Sequence, residues 1–377
     1  MCKTIKTKLD DKLSFETLLN AHNRARIGKC NKSEVLKFEQ DLETNLCNLL
    51  YKLKNGIYKP GNYKTFEIYE PKMRIIKALP YIDRVVQQWY IYEFIKPYIV
   101  PRFINDNCAC IDNKGTLYAV NKVQKYMKCM KRKYNDYYVL KLDIKKYFYN
   151  IDKNILYNIM KSYIKDEKLL KLTSIFIFDD EEQGIPIGNY TSQYFANIYL
   201  NELDHFIKER LLVKYYVRYM DDLVLLLKDK NECKFVLKKI KNFINKKLKL
   251  QLNNKSRYYP NKMGINFCGY RIFEEYKLLR NRSKRNIKNK IKLWNYLNKN
   301  NILNNKRMLI EWNSFISYAK HSNSYRFITK MINNIDNNIF IREVVMILQE
   351  LKCINEQVNI DEYIEFREKI WNVSRFY

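Results

Sequence analysis

The stretch Tyr215–Leu227, YYVRYMDDLVLLL, sets two adjacent aspartates, Asp221 and Asp222, inside a run made otherwise mostly of aromatic and aliphatic residues. Its composition reads as a buried β-hairpin. An unpaired carboxylate moved out of water costs several kcal/mol, so such groups are neutralised or bound to a cation. Two other Asp-Asp pairs, Asp10–Asp11 and Asp179–Asp180, lie in polar or acidic surroundings and are expected at the solvated surface. Only the third pair is flanked on both sides by strand-type apolar residues. It requires either a countercharge or a place at an exposed hairpin tip.

A further carboxylate bears on that choice. Asp143 follows the apolar stretch YYVLKL and falls at the end of a predicted strand. If that strand pairs beside the hairpin, Asp143 and Asp221 face one pocket. Carboxylates converging there would repel one another unless divalent cations bridged them. Magnesium, an oxygen-seeking ion, is the natural choice, with manganese the alternative. Two such ions about 3.5–4 Å apart can activate an attacking 3′-hydroxyl and stabilise a leaving pyrophosphate. On this chemistry the countercharge is metal carrying a nucleoside triphosphate.

The overall charge points the same way. The 377 residues include 70 Lys+Arg against 40 Asp+Glu, a net charge of +30. Such an excess suits a polyanionic partner, nucleic acid above all. The abundance of Lys, Asn, Ile and Tyr also fits an AT-rich coding sequence, and both explanations stand at this point. The three histidines, His22, His205 and His321, are far apart in sequence, which gives no support to a histidine metal site or a Ser-His-Asp triad. The nine cysteines are scattered, with only Cys108 and Cys110 close together, a poor zinc signature. They are expected to be reduced thiols. No run of about 18 apolar residues is present, and the N-terminus lacks a signal-peptide core, so a cytoplasmic protein without a membrane span is expected.

Along the chain, residues 13–56 read as helices, with Val35, Phe38, Leu42, Leu46 and Leu49 at steps of three and four and a stop at Gly56. Two short strands around Glu70–Pro71 and a helix from about Asp83 follow. Next come a strand through Tyr137–Asp143 and a glycine loop from Gly184. That loop feeds a helix whose apolar face is Phe195, Tyr199, Leu203 and Phe206. After the Asp221–Asp222 hairpin come a basic amphipathic helix, Lys234–Leu250, and a strand, Ile265–Phe273. This order resembles a split β-α-β arrangement with an antiparallel sheet. Glycine is scarce, with only 8, so each one is expected to mark a backbone need, either positive φ or close approach.

LDIKKYFYNID, GIPIGNYTSQYFANIYLNELD, RYMDDLVLL and INFCGYRIF resemble successive sequence blocks of reverse transcriptases, in the same order and with similar spacing. The resemblance extends upstream to EPKMRIIKALPYIDRVVQQ and so covers Glu70 to Phe273. It implies an α+β right-hand polymerase with an antiparallel-sheet palm, helical fingers and a helical thumb. The implied divisions are 1–66 (helical extension and fingers), 67–136 (fingers), 137–273 (palm, with a fingers insertion about 155–183) and 274–377 (basic thumb and C-terminal extension). The implied activity is RNA-directed DNA synthesis with two Mg²⁺ ions, dNTPs, a template RNA and a primer or cDNA strand.

Residue by residue, Asp143, Asp221 and Asp222 match the family's catalytic carboxylates. Asp143 and Asp221 would be the principal ligands of both metals, Asp222 a more peripheral one, and the backbone carbonyl of Ile144 would help hold one ion. Phe148 matches the bulky residue that blocks a 2′-hydroxyl; the alternative is an ordinary core aromatic. Lys72 and Arg74 match the finger residues that grip the triphosphate, a task suited to arginine's fork of donors, although Lys72 also fits an ordinary basic strand face. Lys255 matches a late-palm lysine that approaches the pyrophosphate, among several neighbouring lysines. Phe267, Cys268, Gly269 and Tyr270 match the primer grip. Arg280, Arg282, Lys284, Arg285 and Lys288 lie in a run of seven basic residues from Arg280 to Lys292. Such a run is either a solvated helix face or a track for the primer–template backbone. Trp312–Phe327 resembles the end of the thumb.

Many reverse transcriptases carry Q-G-x-x-x-S-P in the glycine loop; here Ile187-Gly188 leads to Ser192-Gln193. This form resembles the enzymes of diversity-generating retroelements, which copy a template repeat RNA with errors at adenines and work with a small helical accessory protein. Loss of a polar contact beside the nascent pair would loosen discrimination; the alternative is that Ile187 only repacks the loop. An antiviral-defence reverse transcriptase, making DNA from a dedicated noncoding RNA or without a template, is the competing reading. No segment resembling RNase H, integrase, a maturase region or an HNH nuclease is found, and the usual retron signatures are missing. An idle RNA-binding scaffold would predict erosion of the carboxylates, and all three are present.

Overall fold

Four strands carry the core of the first of two compact units, and the strand Asp222–Leu227 is buried on both faces beyond Asp222. In this computed structural model the described residues are 4–69, 73–179, 183–336 and 339. They belong to two compact units, Met1–Pro260 and Asn261–Tyr377. The first unit contains β1 (Lys64–Ile68), β2 (Arg74–Ala78), β3 (Tyr138–Asp143), β4 (Tyr216–Tyr219), β5 (Asp222–Leu227) and β6 (Arg257–Pro260). β1 and β2 form a separate two-stranded ribbon, while the others make an antiparallel sheet in the order β4-β5-β3-β6. Leu140 and Leu142 of β3 and Leu223, Leu225 and Leu227 of β5 join the main core. Side chains alternate across a strand, so Asp143 and Asp222, direct cross-strand neighbours, lie on the opposite face.

The helix Tyr190–His205 is buried on nearly every side, which its composition foreshadows only in part. Phe195, Tyr199 and Leu203 sit in the core as the apolar periodicity predicts, and Phe206 stacks on Phe243 at 4.3 Å. Its remaining positions bury Asn197, Asn201 and Asp204, polar groups that periodicity alone places in water. The helix Lys230–Leu248 buries Cys233, Val236, Ile240, Ile244 and Leu248 at steps of three and four and turns its lysines outward. Upstream, the run read as helical over 13–56 is three main helices, Phe15–Ala25, Ser33–Gln40 and Leu42–Lys54. Asp41 breaks the last two apart at φ −126°, ψ 49°.

Two expectations are corrected. The strand that closes the sheet is β6, not Ile265–Phe273. The latter segment folds back on itself as β7 (Ile265–Phe267) and β8 (Tyr270–Ile272), and β8 pairs with both β7 and β9 (Lys277–Leu279) in a sheet of the second unit. The cause is local: Cys268 at φ 43° and Gly269 at φ 90° form a two-residue reversal between Phe267 and Tyr270, the conformation that favours tight hairpins. Asp179, expected in water, is instead almost covered and ion-paired with the equally covered Lys153. Its partner in sequence, Asp180, lies outside the described residues.

In the second unit the helices Asn281–Lys299, Asn305–Ala319 and Tyr325–Asn333 share a core of Ile287, Ile291, Trp294, Met308, Trp312 and Met331. The α+β class is thus realised as antiparallel sheets packed with helices. The expected palm, 137–273, spans the division between the two units. Among the described residues no helix is long and apolar enough to cross a membrane.

Candidate active site

The turn between β4 and β5 presents the two aspartates. Tyr219 and Asp222 close the hairpin, and Met220 at its tip has φ 54°. A non-glycine residue there costs about 1–2 kcal/mol, so the surrounding contacts must hold it. Asp143 sits across from Asp222 at the end of β3. The Ile144 N–H donates to the Asp221 carbonyl at 3.3 Å, tying the strand end to the turn. Burial pushes the Asp221 carboxyl up to about 6, and the negative charges of Asp143 and Asp222 add to the rise. Arg74 pulls in the other direction. Asp222 is ion-paired with Lys141, two residues before Asp143 on β3.

A second segment clasps Asp143 from behind. The Asn253 N–H donates to the Asp143 carbonyl at 2.7 Å, and the Asp143 N–H donates to Ser256 Oγ at 3.1 Å. Lys255 lies exposed within this clasp, its N–H donating to Asn253 Oδ1 at 3.1 Å. The fold therefore brings Lys255 to the same strand end as Asp143, across more than a hundred residues of sequence.

The glycine loop and the β1–β2 ribbon meet beside the turn. The Lys77 N–H on β2 donates to the Ile187 carbonyl at 2.8 Å. At Gly188 (φ 128°) a side chain would meet the Lys77 carbonyl oxygen at 2.7 Å, so glycine is required for the two backbones to touch. Ile187 is half-buried, and Arg74 lies exposed at the start of β2. Lys72 lies outside the described residues. Phe148, half-buried, belongs to the short 3₁₀ turn Tyr147–Asn150, whose carbonyl at Phe148 accepts from the Ile185 N–H at 2.9 Å.

Within the second unit, the turn Phe267–Tyr270 is anchored on the helix Asn305–Ala319. Tyr270 donates its hydroxyl to the Tyr318 carbonyl at 2.7 Å, and the Tyr318 hydroxyl donates to the Gly269 carbonyl. Phe267 is buried and Cys268 half-buried. On the helix Asn281–Lys299 and its cap, Arg280, Arg282, Arg285 and Lys288 are exposed, whereas Lys284 is half-buried. Lys284 and Lys288 both lie over the Phe327 ring, at 5.4 and 5.9 Å.

Among the described residues no three His, Cys, Asp or Glu side chains form a preformed cation cage. The donor set nevertheless suits a hard divalent ion. All the donors are carboxylates, and two of them raise the proton affinity of a third, a penalty that a cation would relieve. With Asp222 held by Lys141, Asp143 and Asp221 are the pair left to share such an ion. Sequence reasoning missed Lys141, Asn253 and Ser256, which carry no motif of their own. It also missed Arg218, a fully buried cation within the apolar strand β4. Arg218 could have been found by the same argument that singles out Asp221 and Asp222.

The first unit thus sets paired carboxylates at a hairpin of an antiparallel sheet, beside a glycine loop and a basic ribbon, the arrangement that the sequence resemblance implied. The chain belongs to the reverse transcriptase (RNA-dependent DNA polymerase) family, which it matches over residues 57–272. It is 22% identical over 352 residues to a putative COX1/OXI3 intron 2 protein of Saccharomyces cerevisiae, covering 72% of this chain and 39% of that protein. It is also 22% identical over 306 residues to the group II intron-encoded protein LtrA of Lactococcus lactis subsp. cremoris, covering 61% of this chain and 50% of that protein. The chain thus spans half or less of the length of these relatives. Among solved structures it is similar to apo telomerase from Candida tropicalis truncated from its C-terminal domain, with TM-score 0.43 and 14% identity. That likeness covers 63% of this chain and 60% of the other.

Proposed function

We propose that this protein is an RNA-directed DNA polymerase that adds dNTPs to a primer 3′-hydroxyl, with Asp143 and Asp221 holding two Mg²⁺ ions. The observation that carries this reading is the meeting of Asp143, Asp221 and Asp222 at one strand end, with the Asp221 carboxyl pushed up by burial and by the other two. The Ile144 carbonyl joins the ligand set, and Asp222, turned to Lys141, is peripheral. Bound magnesium would supply activation of the primer hydroxyl and neutralisation of the departing pyrophosphate. Arg74 grips the triphosphate from the ribbon, Lys72 is assigned the same task by its sequence match alone, and Lys255 approaches the triphosphate from the clasp behind Asp143. Phe267–Tyr270 positions the primer end, and Arg280, Arg282, Lys284, Arg285 and Lys288 follow the nucleic-acid backbone.

Ile187 supports a finer assignment: error-prone copying of a template repeat RNA in a diversity-generating retroelement, with a small helical accessory protein. Its backbone is tied to Lys77, and it offers no side-chain hydrogen bond to the nascent base pair. Primer extension on a mixed-sequence RNA template with Mg²⁺ tests both levels, run with the RNA and small proteins encoded beside the gene. Wild-type protein is expected to extend the primer and Asp143→Asn to do so at least about a thousandfold more slowly. Extension that survives this substitution would sink the metal-site reading. Product errors concentrated at template adenines would support the retroelement assignment. Accurate, repetitive or untemplated DNA would point to the defence role instead.

Phe148 gives a separate prediction. Replacing it with alanine opens space beside the sugar, and ribonucleotide incorporation is expected to rise by about tenfold or more relative to dNTPs, with little change in stability of the half-buried turn. Single-nucleotide incorporation with matched dNTP and NTP pairs measures the ratio; an unchanged ratio removes Phe148 from the sugar-gating role.

A further inference from the structure

Below the metal-binding turn lies a polar network that no step of the polymerase chemistry uses. Arg218 of β4 and Asp204 of the helix Tyr190–His205 are both fully buried. Arg218 Nε donates to the two Asp204 oxygens at 2.8 and 3.0 Å, and Nη2 donates to Oδ2 at 2.5 Å. Tyr216 adds its hydroxyl to Asp204 at 2.7 Å. The remaining arm, Nη1, reaches Asn197 Oδ1 at 3.0 Å and the Met220 carbonyl at 3.2 Å. Met220 is the positive-φ residue at the tip of the turn, and its carbonyl leads directly into the Asp221 peptide.

The backbone of Arg218 is fixed as well. Its N–H donates to the Asp106 carbonyl at 3.0 Å, and its own carbonyl accepts from the Cys108 N–H at 3.0 Å. Neither the chain nor the side chain of Arg218 can shift without breaking several of these bonds. The guanidinium fork therefore joins a rigid buried anion to the peptide that carries Asp221. A planar fork can serve both at once; a lysine ammonium, a single point of charge, cannot span them in the same way.

We propose that Arg218, locked by Asp204, is a positioning residue that holds the Met220–Asp221 peptide in the conformation in which Asp221 can ligate metal. This inference rests on the polymerase reading above. It predicts that Arg218 acts on metal affinity and turnover, not on nucleic-acid binding. Because the pair is wholly buried, removing one member alone strands the other charge and can unfold the protein. Two variants avoid this: Arg218→Lys keeps the countercharge but drops the second arm, and the double variant Arg218→Met/Asp204→Leu removes both charges at similar volume.

Three measurements on the full chain separate the outcomes: the rise in melting temperature on adding Mg²⁺, the Mg²⁺ concentration for half-maximal extension with kcat and KM for dNTP, and primer–template affinity by anisotropy. Wild-type protein is expected to show the Mg²⁺-dependent rise. In both variants the half-saturating Mg²⁺ concentration should increase at least tenfold and kcat fall, while KM for dNTP and primer–template affinity stay within twofold. Folded variants with wild-type Mg²⁺ response and turnover per molecule would overturn the positioning role, as would a fall in primer–template affinity that accounts for the whole loss. If wild-type protein shows neither Mg²⁺ stabilisation nor extension, the polymerase reading itself fails, and this outcome is distinct from failure of the variants alone.

Discussion

Asp221→Asn will make the metal-free protein more stable at neutral pH while lowering primer extension by about a thousandfold or more, the loss of about 4 kcal/mol of transition-state stabilisation. The two effects share one cause. Burial first, then the charges of Asp143 and Asp222, raise the Asp221 carboxyl from 3.8 to about 6. In the folded protein the group thus holds its proton more tightly than in the unfolded chain. Without divalent ions its contribution to stability is greatest below pH 4, declines as pH rises from about 4 to 6, and is flat and unfavourable above that. A difference of this size corresponds to about 2–3 kcal/mol, which asparagine removes. Mg²⁺ at pH 7.5 should recover most of that stability in the wild type and little of it in the variant. Urea unfolding at pH 5 and 7.5, with EDTA or with Mg²⁺, measures all four states. Equal Mg²⁺ stabilisation of both proteins would show that Asp221 is not a principal ligand.

Gly184→Ala is the second large effect, expected to cost about 3 kcal/mol or more. Gly184 has φ 84°, and an added Cβ would meet the carbonyl oxygens of Phe148 and Tyr149 at 2.9 and 2.8 Å and the Tyr149 Cα at 2.9 Å. All three are backbone atoms, so no side-chain rotation relieves the contact. The Gly184 N–H also donates to the Ile151 carbonyl at 3.1 Å, so the loop cannot withdraw without losing that bond. Gly28→Ala supplies a matched control, since Gly28 has φ 70° with no atom near its missing Cβ. It should show only the conformational cost of about 1 kcal/mol. Urea midpoints for the two variants measure the difference. The Gly184 variant should also lose selectivity for dNTPs over NTPs, because displacing its loop moves the turn that holds Phe148. Two similar midpoints would mean that the loop relaxes freely and does not set the position of Phe148.

Strand periodicity, the apolar setting of Asp221–Asp222 and the order of the sequence blocks were enough to define an α+β chain of this family and to nominate its carboxylates. These features are local: a strand announces itself by alternation, a buried charge by its flanks, and a tight turn by glycine. What the chain could not announce is which distant segments meet. Arg257–Pro260, not Ile265–Phe273, closes the sheet, because Cys268 and Gly269 reverse the later segment while the shorter one stays in register with β3. Asp179 finds Lys153, Asp222 finds Lys141, and Asn253 and Ser256 clasp Asp143, all through side chains or turns with no periodic signature. Asp204 occupies a helix position that reads as polar surface until that helix is enclosed on all sides, whereupon it must face Arg218. Local sequence selects the elements and the charged groups that require partners. Only the closed core, where an unpaired charge costs several kcal/mol, decides which partners they take.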